Sequence, residues 1–265
     1  MPRRVSISIK DQVAEVRLER ADKRNALDLA MFSAIAAAQK TLQRDASIRV
    51  VIISGAGEDF CSGLDIKSMM NDRRSMLRLL WKWLPWRSNL AQRVSTGWRK
   101  LDIPVIAVIH GRCWGGGLQI ALGADLRIAH PQASLSIMEN KWGLVPDMGG
   151  SLALREIVGR DHAMRLTMTA ELLDAPAALS VGLVTEIHPE PLQRALELGG
   201  RIAAHSPDAV AAIKRLYRKN WRGSEGAALA RETLYQIGIL RGRNQRIAVR
   251  RQMGEEVPFL PRGRK

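Results

Sequence analysis

Only two cysteines, Cys61 and Cys113, occur in the 265 residues. They are too few and too scattered for a disulfide framework or a zinc site, so both thiols are expected to stay reduced, with no bound metal. Aromatic residues other than tryptophan are also scarce: three phenylalanines and two tyrosines stand against seven tryptophans. No apolar run reaches the roughly 18 residues that a membrane span needs. The opening stretch, MPRRVSISIKDQV, lacks the apolar h-region of a signal peptide, and a cytoplasmic protein is expected. Low-complexity linkers and short-period repeats are missing as well. What remains, 46% hydrophobic and 25% charged residues, is ordinary for a globular chain. Its length suits one large domain, or a core with an appendage.

Charge is the unusual quantity, at +15 for the whole chain. Residues 67–100 hold nine Lys/Arg against one acid, Asp72, and residues 241–265 hold eight against Glu255 and Glu256. The rest of the chain is close to neutral. Two basic segments on a neutral body suit an anionic partner: a phosphate-bearing ligand, a nucleic acid or a membrane surface. The plainer reading is solubility charge on exposed helix faces. The C-terminal segment lacks interleaved aromatics, so stacking on bases has no support there and nucleic acid is not the expected partner.

Along the chain, VAEVRL (13–18) alternates as a half-buried strand, and RVVIIS (49–54) reads as a second. Between them the polar loop ERADKRNALD leads to a helix carrying Met31, Ile35, Ala38 and Leu42 on one face, with Asp28 or a neighbour as its cap. From Ser68 to Leu101 the pattern is helical but broken at Pro85. Trp81, Trp83, Trp86 and Trp98 fall here, with Met69, Met70 and Met76; they suit either core packing or the lining of an apolar acyl pocket. Short strands are expected at 126–129 and 134–137, and an extended piece at 183–187. Helices near 191–205, 207–221, 225–239 and 243–254 then carry the chain to its end. The pattern predicts an α/β core over residues 1–200 and a helical part over 201–265.

The chemistry concentrates between Val105 and Ser151. An apolar run (105–109) passes through His110 and Gly111 to Gly115, Gly116 and Gly117, then to the apolar segment 118–122. This spells a buried strand, a turn of bare backbone and a helix start. Amides at such a start lack intrahelical partners and favour negative charge, including the transient charge on a reacting carbonyl oxygen. Two acids, Glu139 and Asp147, follow downstream. Asp147 also precedes a helical segment, where an aspartate serves as an N-cap. His110 reads as a structural residue beside the turn rather than a base.

Five stretches together resemble the crotonase superfamily, the enoyl-CoA hydratase/isomerase proteins: RADKRNALD, FCSGLDIK, HGRCWGGGLQIALGADLRIA, ENKWGLVPDMGG and GRNQRIAVRRQMGEEVPFLPR. The resemblance runs in register over nearly the whole chain. It implies a spiral of strand–strand–helix units with a C-terminal helical trimerisation region, and a homotrimer or hexamer. It also implies acyl-CoA thioester substrates, coenzyme A being part of the substrate and no separate cofactor being needed.

By the same resemblance, the backbone amides of Leu64 and Gly116 hold the thioester oxygen. Arg24, Ala26, Ser62, Gly63, Asp65, Ile66, Lys67 and Gly115 face the coenzyme A and substrate, with tail arginines 246, 250 and 251 as further candidates. Hydratases of the family use two glutamates. Here the first position is Gln119 and the second is Glu139. An amide can orient a group but has no proton to exchange. Moving a double bond needs only one base, taking a proton from one carbon and returning it to another. Asp147 falls where the dienoyl-CoA isomerase branch has an aspartate, although that branch has an acid in place of Gln119. The expectation is therefore an isomerase run by Glu139, with Asp147 as second acid or electrostatic partner and Gln119 against the substrate. A hydratase running on Glu139 alone, or a non-catalytic relative binding CoA or RNA, are the alternatives.

Overall fold

The computed structural model describes residues 3–66, 68 and 73–263. Among them, six strands form one sheet in the order β1-β2-β3-β4-β6-β9. These are β1 (Val5–Lys10), β2 (Val13–Leu18), β3 (Val50–Gly55), β4 (Val105–Ile109), β6 (Leu126–Ala129) and β9 (Glu186–Ile187). β1 pairs antiparallel with β2, with Val5 opposite Leu18, and every other pairing in this sheet is parallel. A smaller sheet joins β5 (Arg112–Trp114), β7 (Ser134–Ser136) and β8 (Leu173–Asp174).

β3 and β4 are buried at every position, which explains why both read as continuous apolar runs rather than as alternation. They are covered on both faces. On one side, helix α8 (Pro191–Ala203) sets Ala195 and Ala203 against Val50, Ile52, Ile106 and Val108. The other side meets α1 (Leu29–Arg44) and, across it, α3 (Leu90–Lys100), whose Trp98 is fully buried. α1 begins where Asp28 accepts a hydrogen bond from the Met31 amide at 2.7 Å. Its buried residues Met31, Phe32, Ile35, Ala38 and Leu42 recur at helical spacing.

Two further helices frame the site, α2 (Arg73–Leu80) before α3 and α4 (Gly116–Ala121) after β5. Beyond them come α5 (Gly150–Ile157), α6 (Arg160–Thr169) and α7 (Ala175–Ser180). The C-terminal part is α9 (Pro207–Asn220), α10 (Glu225–Leu240) and α11 (Arg243–Gln252). Among the described residues no helix is long and apolar enough to cross a membrane.

The tryptophan-rich stretch departs from expectation. Trp98 belongs to the core, but Trp81, Trp83 and Trp86 are 66%, 80% and 80% exposed, so they neither pack the core nor line a closed pocket. The chain leaves α2 at Leu80 and runs through irregular backbone to Asn89, so no second layer covers these rings. Met76 is also partly exposed, while Met69 and Met70 lie outside the described residues. The extended piece expected over 183–187 shortens to two paired residues, because Leu183 and Val184 both donate back to Ala178.

Candidate active site

Three segments lie side by side beyond the carboxyl ends of β3 and β4: residues 24–28, 61–65 and 112–116. Asn25 ties the first two together from a fully buried position. Its side-chain amide donates to the carbonyls of Ala56 and Asp59, at 2.9 and 2.8 Å, and its oxygen accepts from the Arg20 amide. Arg24 and Asn25 both adopt left-handed backbone, φ 52° and 54°, a conformation the buried asparagine bonds help to hold. Next, the Leu27 amide donates to the Gly63 carbonyl and the Asp65 amide to the Leu27 carbonyl. On the other side the Trp114 amide donates to the Cys61 carbonyl.

This ladder decides where two amides point. The bridge to Leu27 uses the Gly63 carbonyl and the Asp65 amide. In a parallel bridge the amide of the residue between them, Leu64, turns to the opposite side. Gly116 begins α4, where amides have no intrahelical acceptor. A Cβ placed on Gly63 would lie 3.0 Å from the Trp114 carbonyl oxygen and 3.6 Å from the Gly116 nitrogen, so the two turns are in contact. Gly63 itself has φ 96°, and Gly115, which precedes the helix, has φ 51°. Glycine is needed at Gly63 both for its backbone angle and for this approach.

The carboxylates sit across from these turns. Glu139 opens a short 3₁₀ turn (Glu139–Trp142) and is half-buried. Its Oε1 would lie 3.6 Å from a Cβ on Gly115. Gln119, buried on α4, donates from Nε2 to Glu139 Oε1 at 2.6 Å, and its Oε1 accepts from the amides of Met148 and Gly150, both at 3.0 Å. Those two donors fix which end of the Gln119 amide faces Glu139. Glu139 Oε2 is buried without a hydrogen-bond partner among the described residues. Burial lifts the Glu139 carboxyl above its ordinary range; the Gln119 bond pulls it back and the nearby Asp147 charge pushes it up further.

Asp147 stands exposed on the loop before α5, and its carboxyl is also raised by lost hydration. It does not cap α5: the cap position is Gly149, with no side-chain hydrogen bond. His110 bonds the Gly57 carbonyl at 3.2 Å.

Of the residues the resemblance assigns to coenzyme A, Arg24 is exposed, whereas Ala26, Ser62 and Ile66 are half-buried. Asp65 is engaged by Arg20 at 2.8 Å and by the Ser68 amide. Lys67 lies outside the described residues. Arg20, which sequence reasoning passed over, also donates to the Ala26 carbonyl at 2.9 Å and lies 3.7 Å from Asp28. Its position inside the loop ERADKRNALD is the one signal that pointed to it. In the tail, Arg246, Arg250 and Arg251 are all exposed; Arg250 pairs with Glu255 and Arg251 covers the Phe259 ring.

An α/β core that brings two glycine turns against a half-buried carboxylate suits an enzyme that stabilises charge on a carbonyl oxygen. The enoyl-CoA hydratase/isomerase family model matches residues 8–237. The mitochondrial Delta(3,5)-Delta(2,4)-dienoyl-CoA isomerase of Rattus norvegicus is 33% identical over 216 residues, covering 78% of this chain and 66% of that protein. The chain thus spans about two thirds of that relative's length. An enoyl-CoA hydratase, EchA19 of Mycobacterium tuberculosis, is 32% identical over 226 residues, covering 84% of this chain and 83% of its own. The solved enoyl-CoA hydratase of Bacillus anthracis superposes with a TM-score of 0.87 at 26% identity, covering 97% of this chain and 99% of that one. The chain belongs to the enoyl-CoA hydratase/isomerase family, the crotonase superfamily.

Proposed function

We propose that the protein moves a double bond along an enoyl-CoA or dienoyl-CoA by shuttling one proton through Glu139. The observation that carries this is the Gln119–Glu139 pair: where a second carboxylate would share the work of adding water, an amide is pinned with its NH2 towards Glu139. One base remains at the turns, its Oε2 unpartnered and its affinity for a proton raised by burial. The thioester oxygen is held by the amides of Leu64 and Gly116. Abstracting the proton beside the carbonyl builds negative charge on that oxygen, and each fixed donor lowers the barrier by about 3–4 kcal/mol.

Asp147 acts as second acid or as electrostatic partner of Glu139, consistent with its effect on the Glu139 carboxyl. Arg24, Ala26, Ser62, Gly63, Ile66, Lys67 and Gly115 face the coenzyme A and substrate, while Asp65 contributes through the loop it shares with Arg20. The chemistry asks for no cofactor beyond the coenzyme A of the substrate. Self-association into a trimer or hexamer through the C-terminal helices is part of the same proposal. It is supported by Leu229, Leu234 and Leu240 of α10, which are more than half exposed in the single chain.

Purified protein is offered a trans-2-enoyl-CoA, a 3-enoyl-CoA and a 3,5-dienoyl-CoA, with products resolved by mass and ultraviolet absorption. Double-bond migration without mass change is the expected result. Fast water addition with no migration would overturn the isomerase reading and leave a hydratase working on Glu139 alone.

A further inference from the structure

The exposed tryptophans share their surface with a cluster of cations. Trp81 and Trp83 lie 6.3 Å apart, ring centre to ring centre, and Trp86 follows on the same irregular stretch. Leu77 and Leu80 of α2 add aliphatic surface, 70% and 49% exposed. Arg87 is the next residue after Trp86, and Ser88 beside it accepts from Lys100 Nζ at 3.4 Å. That bond brings the tryptophan stretch to the end of α3. The Lys100 ammonium is held below its ordinary value, first by burial and then by the arginines around it, Arg218, Arg93 and Arg87. Among the described residues none of these four cations is in an ion pair.

We propose that the face formed by Trp81, Trp83, Trp86 and the Arg87–Arg93–Lys100–Arg218 cluster docks on an anionic lipid bilayer. Uncompensated cations gathered at one place ask for a dense negative surface, and interfacial tryptophans with apolar bodies and a polar N–H suit the headgroup boundary. Leucines decide between polyanions. A single-stranded nucleic acid is gripped by stacking on aromatic faces, to which Leu77 and Leu80 add nothing, whereas a bilayer accepts aliphatic and aromatic side chains alike. The docking is independent of the reaction proposed at Glu139.

The purified protein is mixed with vesicles of phosphatidylcholine alone and with vesicles carrying phosphatidylglycerol, and followed by co-sedimentation and tryptophan emission. Binding to the anionic vesicles with a blue shift, reversed by salt, is the expected result. A double charge reversal, Arg87→Glu with Arg93→Glu, lowers the bound fraction by roughly tenfold or more. Trp83→Ser with Trp86→Ser abolishes most of the blue shift, with unchanged far-ultraviolet circular dichroism showing that both variants fold. Equal binding to neutral and anionic vesicles, or none to either, overturns the proposal. So does tight retention of a single-stranded RNA without vesicle binding. A change of oligomeric state in the tryptophan variant without vesicle binding would instead mark a contact between copies, and likewise overturns it.

Discussion

Gln119 Nε2 lies 2.6 Å from Glu139 Oε1, and the amide cannot be flipped without setting its NH2 against the amides of Met148 and Gly150. One carboxylate oxygen is thereby held in place and the other, Oε2, is left for chemistry. The same side chain ties the helix after the glycine turn to the loop that carries Asp147.

Replacing Glu139 by Gln keeps an oxygen for the Gln119 bond and removes the charge. Isomerase turnover is expected to fall by about 10²–10⁴, the usual contribution of a general base. Stability should move the other way. Glu139 and Asp147 both have raised carboxyl values, so the stability they contribute is present at low pH and is lost as pH rises through those values. The variant should therefore melt higher than the parent at neutral pH, with the gap closing in acid. Melting curves across pH, alongside turnover, check both halves.

Gln119→Met removes the hydrogen bond that lowers the Glu139 value and orphans two backbone amides. The acid limb of the kcat/KM profile should move to higher pH, and kcat should fall more than KM rises. Leaving buried amides unpaired costs about 1–3 kcal/mol each, measurable by denaturant unfolding. An unmoved acid limb would assign that limb to another group.

The glycines separate by what surrounds them. A Cβ on Gly117 meets the Cys61 carbonyl oxygen at 2.4 Å, and backbone cannot step aside. Gly117→Ala is expected to destabilise the fold by several kcal/mol, on the order of other overpacked sites. On Gly116 the Cβ meets the side-chain ends of Leu27 and Met148, each at 2.9 Å, which can swing. Gly116→Ala should fold and lose turnover through a displaced amide, a contrast read by calorimetry and steady-state kinetics.

Arg20→Ala releases Asp65 and the Ala26 carbonyl together. KM for the CoA thioester should rise while kcat changes little, if the loop holds the coenzyme A as proposed and not the reacting carbons. The loss of stability is expected at about 1–3 kcal/mol, because a half-buried Asp65 then keeps the Ser68 amide but loses its guanidinium partner. Titration with desulfo-CoA analogues would report the same loss as weaker binding.

The sequence shows what local pattern can encode. The runs at β3 and β4, the amphipathic face of α1 and its Asp28 cap are local and came through clearly. So did the two glycine turns. β1 went unread although it alternates strictly, apolar at Val5, Ile7 and Ile9 and polar at Ser6 and Ser8, and its pairing with β2 shows it to be a strand. The roles of Arg20 and Asn25 arise from partners up to 45 residues away, which no short window displays. At Gln119 the missing charge was legible, whereas the two amides that orient it lie 29 and 31 residues on. Trp81, Trp83 and Trp86 misled for a simple reason: an apolar ring looks the same in sequence whether it is buried or exposed.

The C-terminal segment returns to the start of β3. Arg262 donates from its backbone to Ala46 and from its side chain to the Ile48 carbonyl, while Arg49 reaches the carbonyls of Ala203 and Phe259. Residues separated by more than 200 positions thus close a loop at the point where β3 enters the sheet. Pulling on the C-terminus would load the central sheet through this clasp, so removing the last segment weakens the middle of the molecule and not merely its edge.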